Sequence, residues 1–315
     1  MISSSGTDLL TGWRCVLPAD RRQAGGDSGE LVAASCIRGH PHPPGYPLFT
    51  LLNHAFTQVL LCWHTPAWRA NVLNGACNVG ATSFIYLSVR RWSALLSRRS
   101  TKRTPRLRRL SGCWSAVSAA LCYAFSPLVW LYGTGAEVFA LNNLMCSLLV
   151  YLALRFATLP PGLGGNDAAV IGSFCCGLAL CNQHTAVLFE IPLIVWILGT
   201  LVARGGHTLL PLLRRLTSAF VMGLTPYLYL PVQSVYFPKQ TDWGDSSTLG
   251  GFFRHFRRAD YGSFQLYSGD TGTGNAGMLG RTALYLRDVR DAQASYNVQL
   301  LSRCYTAVLW AFTKC

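Results

Sequence analysis

Two carboxylates near the start of the chain have a spacing that suits acid–base chemistry. Asp27 and Glu30 lie three residues apart in the glycine-flanked run 25–31. Flanking glycines allow a polar substrate to approach closely, and either carboxylate can act as a general base toward a hydroxyl group. The same spacing also predicts a helix start, with Asp27 as the N-cap and Glu30 as its reciprocal capping partner. Both interpretations can hold together, because a capped helix holds its carboxylate rigidly.

The next polar segment, from His40 to Pro47, is predicted to be a stiff loop. Its four prolines exclude a helix and favour extended backbone. His40 and His42 have the i, i+2 spacing of paired metal ligands, but the sequence near them offers no third ligand, so no metal site is predicted. His42 and Tyr46 are instead candidates for contact with a substrate.

Two further polar positions interrupt the apolar part of the chain. Glu137 follows the run Gly133-Thr134-Gly135 and opens an apolar stretch. A carboxylate at the rim of a membrane is costly and marks a functional candidate, although a helix dipole also favours a negative charge at this place. Gln183 and His184 lie in the polar break 182–185, which is either a plain turn or a turn that faces a substrate.

An aromatic and basic segment follows the last long apolar stretch. Trp243 and Asp245 come first, and Arg254 and His255 lie in the basic aromatic run 251–258. The cationic side chains can bind a lipid phosphate at a membrane surface. An interfacial helix with aromatic anchors is the alternative for this run. Because the sequence has no Asp-x-Asp, it disfavours a metal-dependent transferase of the soluble type that uses nucleotide sugars.

The elements that must position these side chains are membrane helices. Half of the 315 residues are apolar and 13% are charged, whereas a soluble domain carries about 25% charged residues. The net charge of +14 does not indicate nucleic-acid binding, because nine of the 27 Lys and Arg residues fall in the stretch 90–109 and no nucleic-acid-binding motif is present. The 12 cysteines include no CxxC pair and predict neither a disulfide framework nor a zinc site.

Hydropathy predicts an all-α, multi-pass membrane protein. Six stretches are apolar and long enough to cross a bilayer, which takes about 20 residues. The stretch 47–63 is also apolar, but Asn53, His54 and Gln58 interrupt it. We therefore predict an amphipathic helix lying in the membrane interface there, with a seventh span as the alternative. The six predicted spans are 69–89, 111–132, 137–157, 168–185, 187–203 and 213–233.

Positive charge sets the predicted orientation in the membrane. The loops 90–109 and 204–215 are rich in Arg and are therefore placed in the cytosol. Counting spans from either loop puts the alternate loops on the other side, the lumen. The polar candidates then share that compartment: Asp27, Glu30, His40, His42, Glu137, Gln183, His184, Asp242, Asp245 and His255.

Five motifs occur in the order known from one protein family. They are GDSGEL at 26–31, HPPGYPL at 42–48, AEVFALNNL at 136–144, GLALCNQHT at 177–185 and WGD at 243–245. With them the chain resembles the transmembrane protein 260 family of protein O-mannosyltransferases, which is related to the GT-C glycosyltransferases. The resemblance implies a multi-pass enzyme of the endoplasmic reticulum membrane. Such an enzyme moves mannose from dolichyl-phosphate mannose to Ser or Thr of secretory-pathway acceptors, receptor ectodomains with plexin-type folds.

The resemblance also implies roles for residues in the matched motifs. GT-C enzymes keep an acidic residue in the first luminal loop, which makes Asp27 the predicted catalytic base and Glu30 the second candidate. The lipid-linked donor is a substrate, and the family implies no cofactor and no metal. The predicted substrate-binding residues are His42, Tyr46, Glu137, Asn142, Gln183, His184, Trp243, Asp245, Arg254 and His255.

The predicted organisation departs from the family at both ends. The family has a span before GDSGEL, whereas residues 1–24 are hydrophilic here, and the family continues beyond the last residue of this chain. We therefore expect a GT-C-like transmembrane domain that is incomplete at both ends. Its predicted parts are a hydrophilic N-terminus (1–24), a luminal loop (25–68), a six-span core (69–233), and a luminal segment with a truncated C-terminal region (234–315).

Two other functions remain open from the sequence. One is a catalytically inactive truncated form of the enzyme. The other is a membrane transporter or scaffold, although the spans show no matched, broken halves of the kind that surround a midplane transport site.

The first testable prediction is the orientation of the loops. Asp27, Glu137 and Asp245 should face the lumen, and residues 98–109 should face the cytosol, because the Arg-rich loops stay on the cytosolic side. Engineered glycosylation acceptors in each loop check this, since only luminal acceptors are glycosylated. Glycosylation of an acceptor placed within 98–109 would overturn the predicted orientation.

Overall fold

The computed structural model describes residues 27–59, 64–98, 105–160, 164–204 and 209–261, with a few positions between 280 and 291. Within these ranges the chain is helical and contains no strand, which confirms the predicted all-α class. The helices are α1 (Ser28–Ile37), α2 (Pro47–Val59), α3 (Pro66–Arg98), α4 (Pro105–Ala124), α5 (Pro127–Gly133), α6 (Val138–Thr158), α7 (Gly165–Asn182), α8 (Ala186–Arg204), α9 (Leu209–Gly223), α10 (Tyr229–Tyr236) and α11 (Leu249–Phe256), with 3-10 turns at Thr225–Leu228 and Ala259–Tyr261.

Three helices are long and apolar enough to cross a bilayer. They are α3 over Pro66–Leu96, α6, and α8, and they match the predicted spans 69–89, 137–157 and 187–203. On α8 the side chains of Leu188, Val195 and Val202 are more than 60% exposed. An apolar surface of this kind suits contact with lipid. The chain is therefore a membrane protein.

The second predicted span, 111–132, is divided rather than straight. Helix α4 ends at Ala124 and α5 begins at Pro127, and the pair Leu110–Ala124 and Pro127–Gly133 is bent by 57°. Proline has no backbone N–H and disfavours helical backbone in the residue before it, so the break falls at Pro127. The two pieces can serve as one broken span.

The fourth and sixth predicted spans differ more from the structure. Helix α7 covers most of 168–185 but ends at Asn182. The continuous helix predicted over 213–233 is wrong, because α9 ends at Gly223 and a 3-10 turn containing Pro226 leads into α10. Pro226 cannot donate the N–H that a continuous helix needs, which explains the break.

Helix α2 lies within the stretch 47–63 that the sequence predicts to form an amphipathic helix. Its 13 residues are fewer than the roughly 20 that a span needs. The polar side chains of Thr50, Asn53 and Thr57 are buried in the protein, whereas Leu52 is 40% exposed. The helix therefore turns its polar face inward and an apolar residue outward, as expected of a helix at the edge of a bilayer. Residues 60–63 lie outside the described ranges.

Helices α7 and α9 meet through two glycines. A Cβ atom on Gly177 would lie 2.3 Å from the carbonyl oxygen of Phe220 and 2.8 Å from Cα of Gly223. A Cβ atom on Gly223 would in turn lie 2.2 Å from the carbonyl oxygen of Phe174. Only glycine permits this approach, and small residues serve helix pairs in membranes in the same way.

The second testable prediction concerns this contact. Gly177→Ala should force α7 and α9 apart and destabilise the protein by about 1–3 kcal/mol, the usual cost of overpacking. Thermal unfolding in detergent measures the effect. Gly199→Ala in α8 is the matched control, because nothing lies within 4 Å of its added Cβ and the change favours helix by up to about 1 kcal/mol. Equal stability of the two variants would contradict the close packing.

Candidate functional site

The carboxylate of Glu137 accepts hydrogen bonds from the N-terminal end of α1, which is distant from it in sequence. Its Oε1 accepts hydrogen bonds from the backbone N–H of Asp27, at 3.1 Å, and from the hydroxyl of Ser28, at 3.2 Å. The first N–H groups of a helix have no partner within it, and the helix dipole favours a negative charge there. Burial and the nearby charge of Asp27 raise the pKa of Glu137. This carboxylate thus fixes the backbone that carries Asp27.

Asp27 and Glu30 do not form the predicted capping box. Asp27 occupies the N-cap position, but its side chain makes no capping hydrogen bond, and the Glu30 carboxylate binds His42 instead. The prediction is wrong because the fold supplies partners that are not local in sequence: Glu137 for the first turn and His42 for Glu30. The side chain of Asp27 is left 58% exposed.

His42 lies between the two carboxylates of α1. Its backbone N–H donates to Oε1 of Glu30 at 2.6 Å, and its Nδ1 is 3.1 Å from Oε2 of Glu30. Its Nε2 is 3.5 Å from Oδ2 of Asp27 and 3.2 Å from the hydroxyl of Tyr46. The structure therefore brings together four of the predicted site residues: Asp27, Glu30, His42 and Tyr46.

The contact between His42 and Glu30 raises the pKa of His42 and lowers the pKa of Glu30. Burial alone would lower the pKa of His42, but its hydrogen bond to Glu30 and the charges of Glu30 and Asp27 outweigh burial and raise it. Burial alone would raise the pKa of Glu30, but the hydrogen bonds from His42 lower it. The arrangement favours an imidazolium next to the exposed carboxylate of Asp27.

Two buried asparagines hold the backbone around Glu137. Nδ2 of Asn74, in α3, donates to the carbonyl of Gly135 at 2.7 Å. Nδ2 of Asn182, at the end of α7, donates to the carbonyl of Val138 at 3.0 Å. Both asparagine side chains are fully buried. The sequence analysis did not select Asn74, although an amide inside a predicted span was an available signal, because polar groups in spans are rare and are often functional.

The segment after α10 folds back onto the His40 loop. Oδ1 of Asp242 accepts a hydrogen bond from the backbone N–H of His40 at 2.7 Å, and the N–H of Trp243 donates to the carbonyl of His40 at 3.1 Å. The Trp243 side chain remains 45% exposed. Asp245, by contrast, accepts from the N–H of Ser247 at 2.8 Å and shapes its own loop. The sequence predicts only that the two segments share a compartment, and Asp242 makes the contact between them.

His184 binds the 3-10 turn after α9. Its Nε2 is hydrogen bonded to the hydroxyl of Tyr227, and that hydroxyl donates to the carbonyl of Leu180 at 3.1 Å. Because a hydroxyl has one hydrogen, Nε2 of His184 is assigned as the donor. Burial and the charge of Arg258 lower the pKa of His184 to about 4, so the ring is neutral at pH 7.

Asn142 and Gln183 are not brought into contact with the carboxylates of α1. Oδ1 of Asn142 and Oε1 of Gln183 are buried without a hydrogen-bond partner among the residues that the structure describes. Buried acceptors normally have a partner. No contact with Asp27 or His42 supports the predicted role of these two residues.

The two cationic candidates in α11 have other partners or surroundings. Nε and Nη2 of Arg254 both donate to Oδ1 of Asp260, at 2.9 and 2.8 Å, in an exposed ion pair. His255 is buried next to His40, and burial with the charge of His40 lowers its pKa to about 4. His255 is therefore neutral at pH 7. Its predicted role as a cationic phosphate ligand is not supported.

Arg258 is the cation that lies near the carboxylates and histidines. Its charge acts on both His42 and His184, in each case lowering the pKa. Its backbone has a φ of 54°, which is uncommon for a residue with a side chain. Strained backbone of this kind concentrates at functional sites. The sequence analysis placed Arg258 in the basic run but had no means to separate it from its neighbours.

Asp27, Glu30 and His42 also lie close enough together to bind a cation. One ligand atom from each lies within 4.8 Å of the others. The sequence analysis found no third ligand near His42, and the fold supplies two. A mixed carboxylate and imidazole set suits a divalent transition metal. Nδ1 of His42 is already hydrogen bonded to Oε2 of Glu30. The absence of a metal stays a prediction.

Comparisons with known proteins agree with the resemblance drawn from the motifs. The family profile "Protein O-mannosyl-transferase TMEM260 N-terminal domain" matches residues 27–203. A mouse protein named protein O-mannosyl-transferase TMEM260 is 38% identical over 309 residues, which are 94% of this chain and 40% of the mouse protein. A Dictyostelium discoideum protein of the same name is 32% identical over 259 residues, 79% of this chain and 29% of that protein.

No solved structure matches the chain. The chain spans less than half of the length of the relatives described above. The matched profile covers more than half of the chain and includes the carboxylates, His42, Glu137 and His184. The chain belongs to the TMEM260 family of protein O-mannosyl-transferases.

Proposed function

We propose that this chain carries the sugar-transfer site of a protein O-mannosyltransferase with a GT-C-like membrane domain. The observation that carries the proposal is the exposed carboxylate of Asp27, whose backbone Glu137 holds and beside which His42 lies. These groups gather at one end of the helix bundle, whereas a transport site lies near the bilayer midplane. The names of the relatives support transfer of mannose to protein.

The proposed donor is dolichyl-phosphate mannose, which stays in the membrane and needs no nucleotide site. The proposed acceptors are Ser or Thr of plexin-type receptor ectodomains, and the proposed location is the endoplasmic reticulum membrane. These three points rest on the family resemblance. The spanning helices support a lipid-linked donor, because they can hold the long apolar chain of the donor next to the site.

Asp27 is the proposed general base. The acceptor hydroxyl gives its proton to the Asp27 carboxylate while its oxygen attacks the anomeric carbon of the mannose. The bond between that carbon and the phosphate oxygen breaks, and its electron pair leaves with the lipid phosphate. Glu30 is the less suitable base, because both of its oxygens bind His42. His42 places positive charge beside Asp27, and Tyr46 lies at hydrogen-bonding distance from Nε2 of His42.

Arg258 replaces Arg254 and His255 as the proposed ligand of the leaving phosphate. The charge of Arg258 acts on both His42 and His184, which places it near the carboxylates of α1, and the guanidinium of Arg254 lies in an exposed ion pair with Asp260. A guanidinium stabilises negative charge that develops on a leaving phosphate. Trp243, which is partly exposed beside the His40 loop, remains the proposed stacking partner of the sugar.

The third testable prediction concerns Asp27. The test uses a fusion of this chain to the part of the mouse relative that the chain does not cover. In that fusion, Asp27→Asn should lower the rate of mannose transfer by about 10²–10⁴-fold, because a general base is lost. Its side chain makes no capping bond, so the fold should survive. Transfer to a Ser-containing acceptor in microsomes is measured with dolichyl-phosphate mannose and, in parallel, with a nucleotide sugar.

Asp167→Asn is the matched control, since Asp167 is an exposed carboxylate paired with Arg215, at the far end of α7 from Asn182. It should leave transfer unchanged. Near-normal transfer by Asp27→Asn would refute the assigned base. Transfer from the nucleotide sugar alone would refute the proposed donor.

The fourth testable prediction separates Arg258 from Arg254. Arg258→Gln should lower the turnover rate at saturating donor by about 10²–10³-fold, the usual cost of removing one group that stabilises developing negative charge. Arg254→Gln, in the same segment, should cost far less because its guanidinium is exposed and paired with Asp260. The same microsomal assay compares the two variants at equal protein abundance. A larger loss of turnover for Arg254→Gln would show that Arg254, and not Arg258, binds the leaving phosphate.

A further inference from the structure

A pocket that contains two arginines lies at the opposite end of the bundle from Asp27. It has a volume of about 350 Å³ between α3 and α6, and its walls include Leu87, Arg90, Arg91, Leu95, Tyr151 and Thr158. Helix α6 runs from Val138, next to Glu137, to Thr158 over 21 residues, or about 30 Å at 1.5 Å per residue. That length equals the hydrocarbon thickness of a bilayer. The pocket therefore lies at the headgroup level of the leaflet opposite the candidate active site.

Arg91 is held in place by two residues of α6. Its Nε donates to Oγ1 of Thr158 at 2.7 Å, and its guanidinium lies 5.9 Å from the ring centroid of Tyr151. The hydroxyl hydrogen of Thr158 goes to the carbonyl of Leu154, at 2.8 Å, so a lone pair of Oγ1 faces Arg91. With Nε engaged, the two Nη atoms carry the four remaining N–H donors of the fork. An arginine already ordered in this way loses little further entropy when it binds an anion.

Arg90 adds a second positive charge on the same helix. Its Nη1 donates to the hydroxyl of Tyr86 at 3.4 Å, and its guanidinium lies 5.8 Å from the Tyr86 ring centroid. None of the described residues that line the pocket is a carboxylate. Among the described residues, no ion pair involves Arg90 or Arg91. Two guanidinium groups without an acidic partner favour a dianionic or monoanionic phosphate over a zwitterionic headgroup with its own cation.

We propose that this pocket binds the phosphate of an anionic phospholipid in the leaflet opposite the active site. The guanidinium of Arg91 binds the phosphate oxygens and Arg90 supplies the second charge. The apolar walls formed by Leu87 and Leu95 contact the start of the acyl chains. A free phosphate ion shares the charged part of this chemistry, but it would leave the apolar walls uncovered. This site is independent of the proposed sugar transfer.

The fifth testable prediction uses lipid binding to the purified protein. Native mass spectrometry in detergent compares phosphatidylserine, phosphatidylcholine and inorganic phosphate as ligands of the whole chain. Phosphatidylserine should bind more tightly than phosphatidylcholine. Arg91→Gln should weaken phosphatidylserine binding by roughly tenfold or more, the worth of one charge-assisted pair. Thr158→Val keeps the charge but removes the acceptor for Nε, and it should produce a smaller loss.

Arg214→Gln is the matched control. Arg214 is an exposed arginine of α9 and does not line the pocket. It should leave phosphatidylserine binding unchanged. An equal loss for Arg214→Gln would show general charge attraction and overturn the site. Competition by inorganic phosphate at the same concentration as the lipid would overturn the lipid assignment. If Arg91→Gln fails to fold, Arg90→Gln and Thr158→Val decide the question.

Discussion

The bond from Glu137 to the first turn of α1 is the contact on which the candidate site depends. It joins residues 110 positions apart, and it ties a helix that is too short to span the membrane to one that can. A helix N-terminus needs an acceptor for its first N–H groups, and a buried carboxylate needs donors. Glu137 supplies the acceptor, and the N-terminal end of α1 supplies the donors. Leu31 of α1 adds to that link, because it lies in one buried cluster with Val138 and Leu141 of α6.

Polar side chains within the helices serve the same purpose. Asn74 and Asn182 use their amides to hold carbonyl groups on either side of Glu137, where the chain passes from the bent pair α4–α5 into α6. Water cannot satisfy such groups inside a bilayer, so the protein must do so itself. A Cβ atom at Gly133 would lie 1.5 Å from Nδ2 of Asn78, which shows how closely the turn packs against α3. The loop that carries Glu137 is therefore rigid because of the helices behind it.

Charge is distributed differently at the two ends of the bundle. Carboxylates and histidines gather at one end, where Nδ1 of His42 lies 3.1 Å from Oε2 of Glu30 and Nε2 lies 3.5 Å from the exposed carboxylate of Asp27. Arginines gather at the other end, where Arg91 is ordered by Thr158 and Tyr151. An acidic and imidazole-rich end suits proton transfer from a hydroxyl, and a guanidinium-rich end suits anionic lipid headgroups. This separation agrees with the orientation that the Arg-rich loops predict.

The sequence by itself determined the membrane class, the family and most of the residues in the site. Apolar stretches predicted α3, α6 and α8 because spans need only length and hydropathy, and the order of five motifs indicated the family before any contact was known. Local spacing failed where the partners were distant. It predicted a capping box for Asp27 and Glu30, whose actual partners are distant in sequence. The roles of Glu137, Asn74, Asp242 and Arg258 were decided by the tertiary structure. Each depends on a group brought close by folding, and the spacing of residues along a chain does not encode that distance.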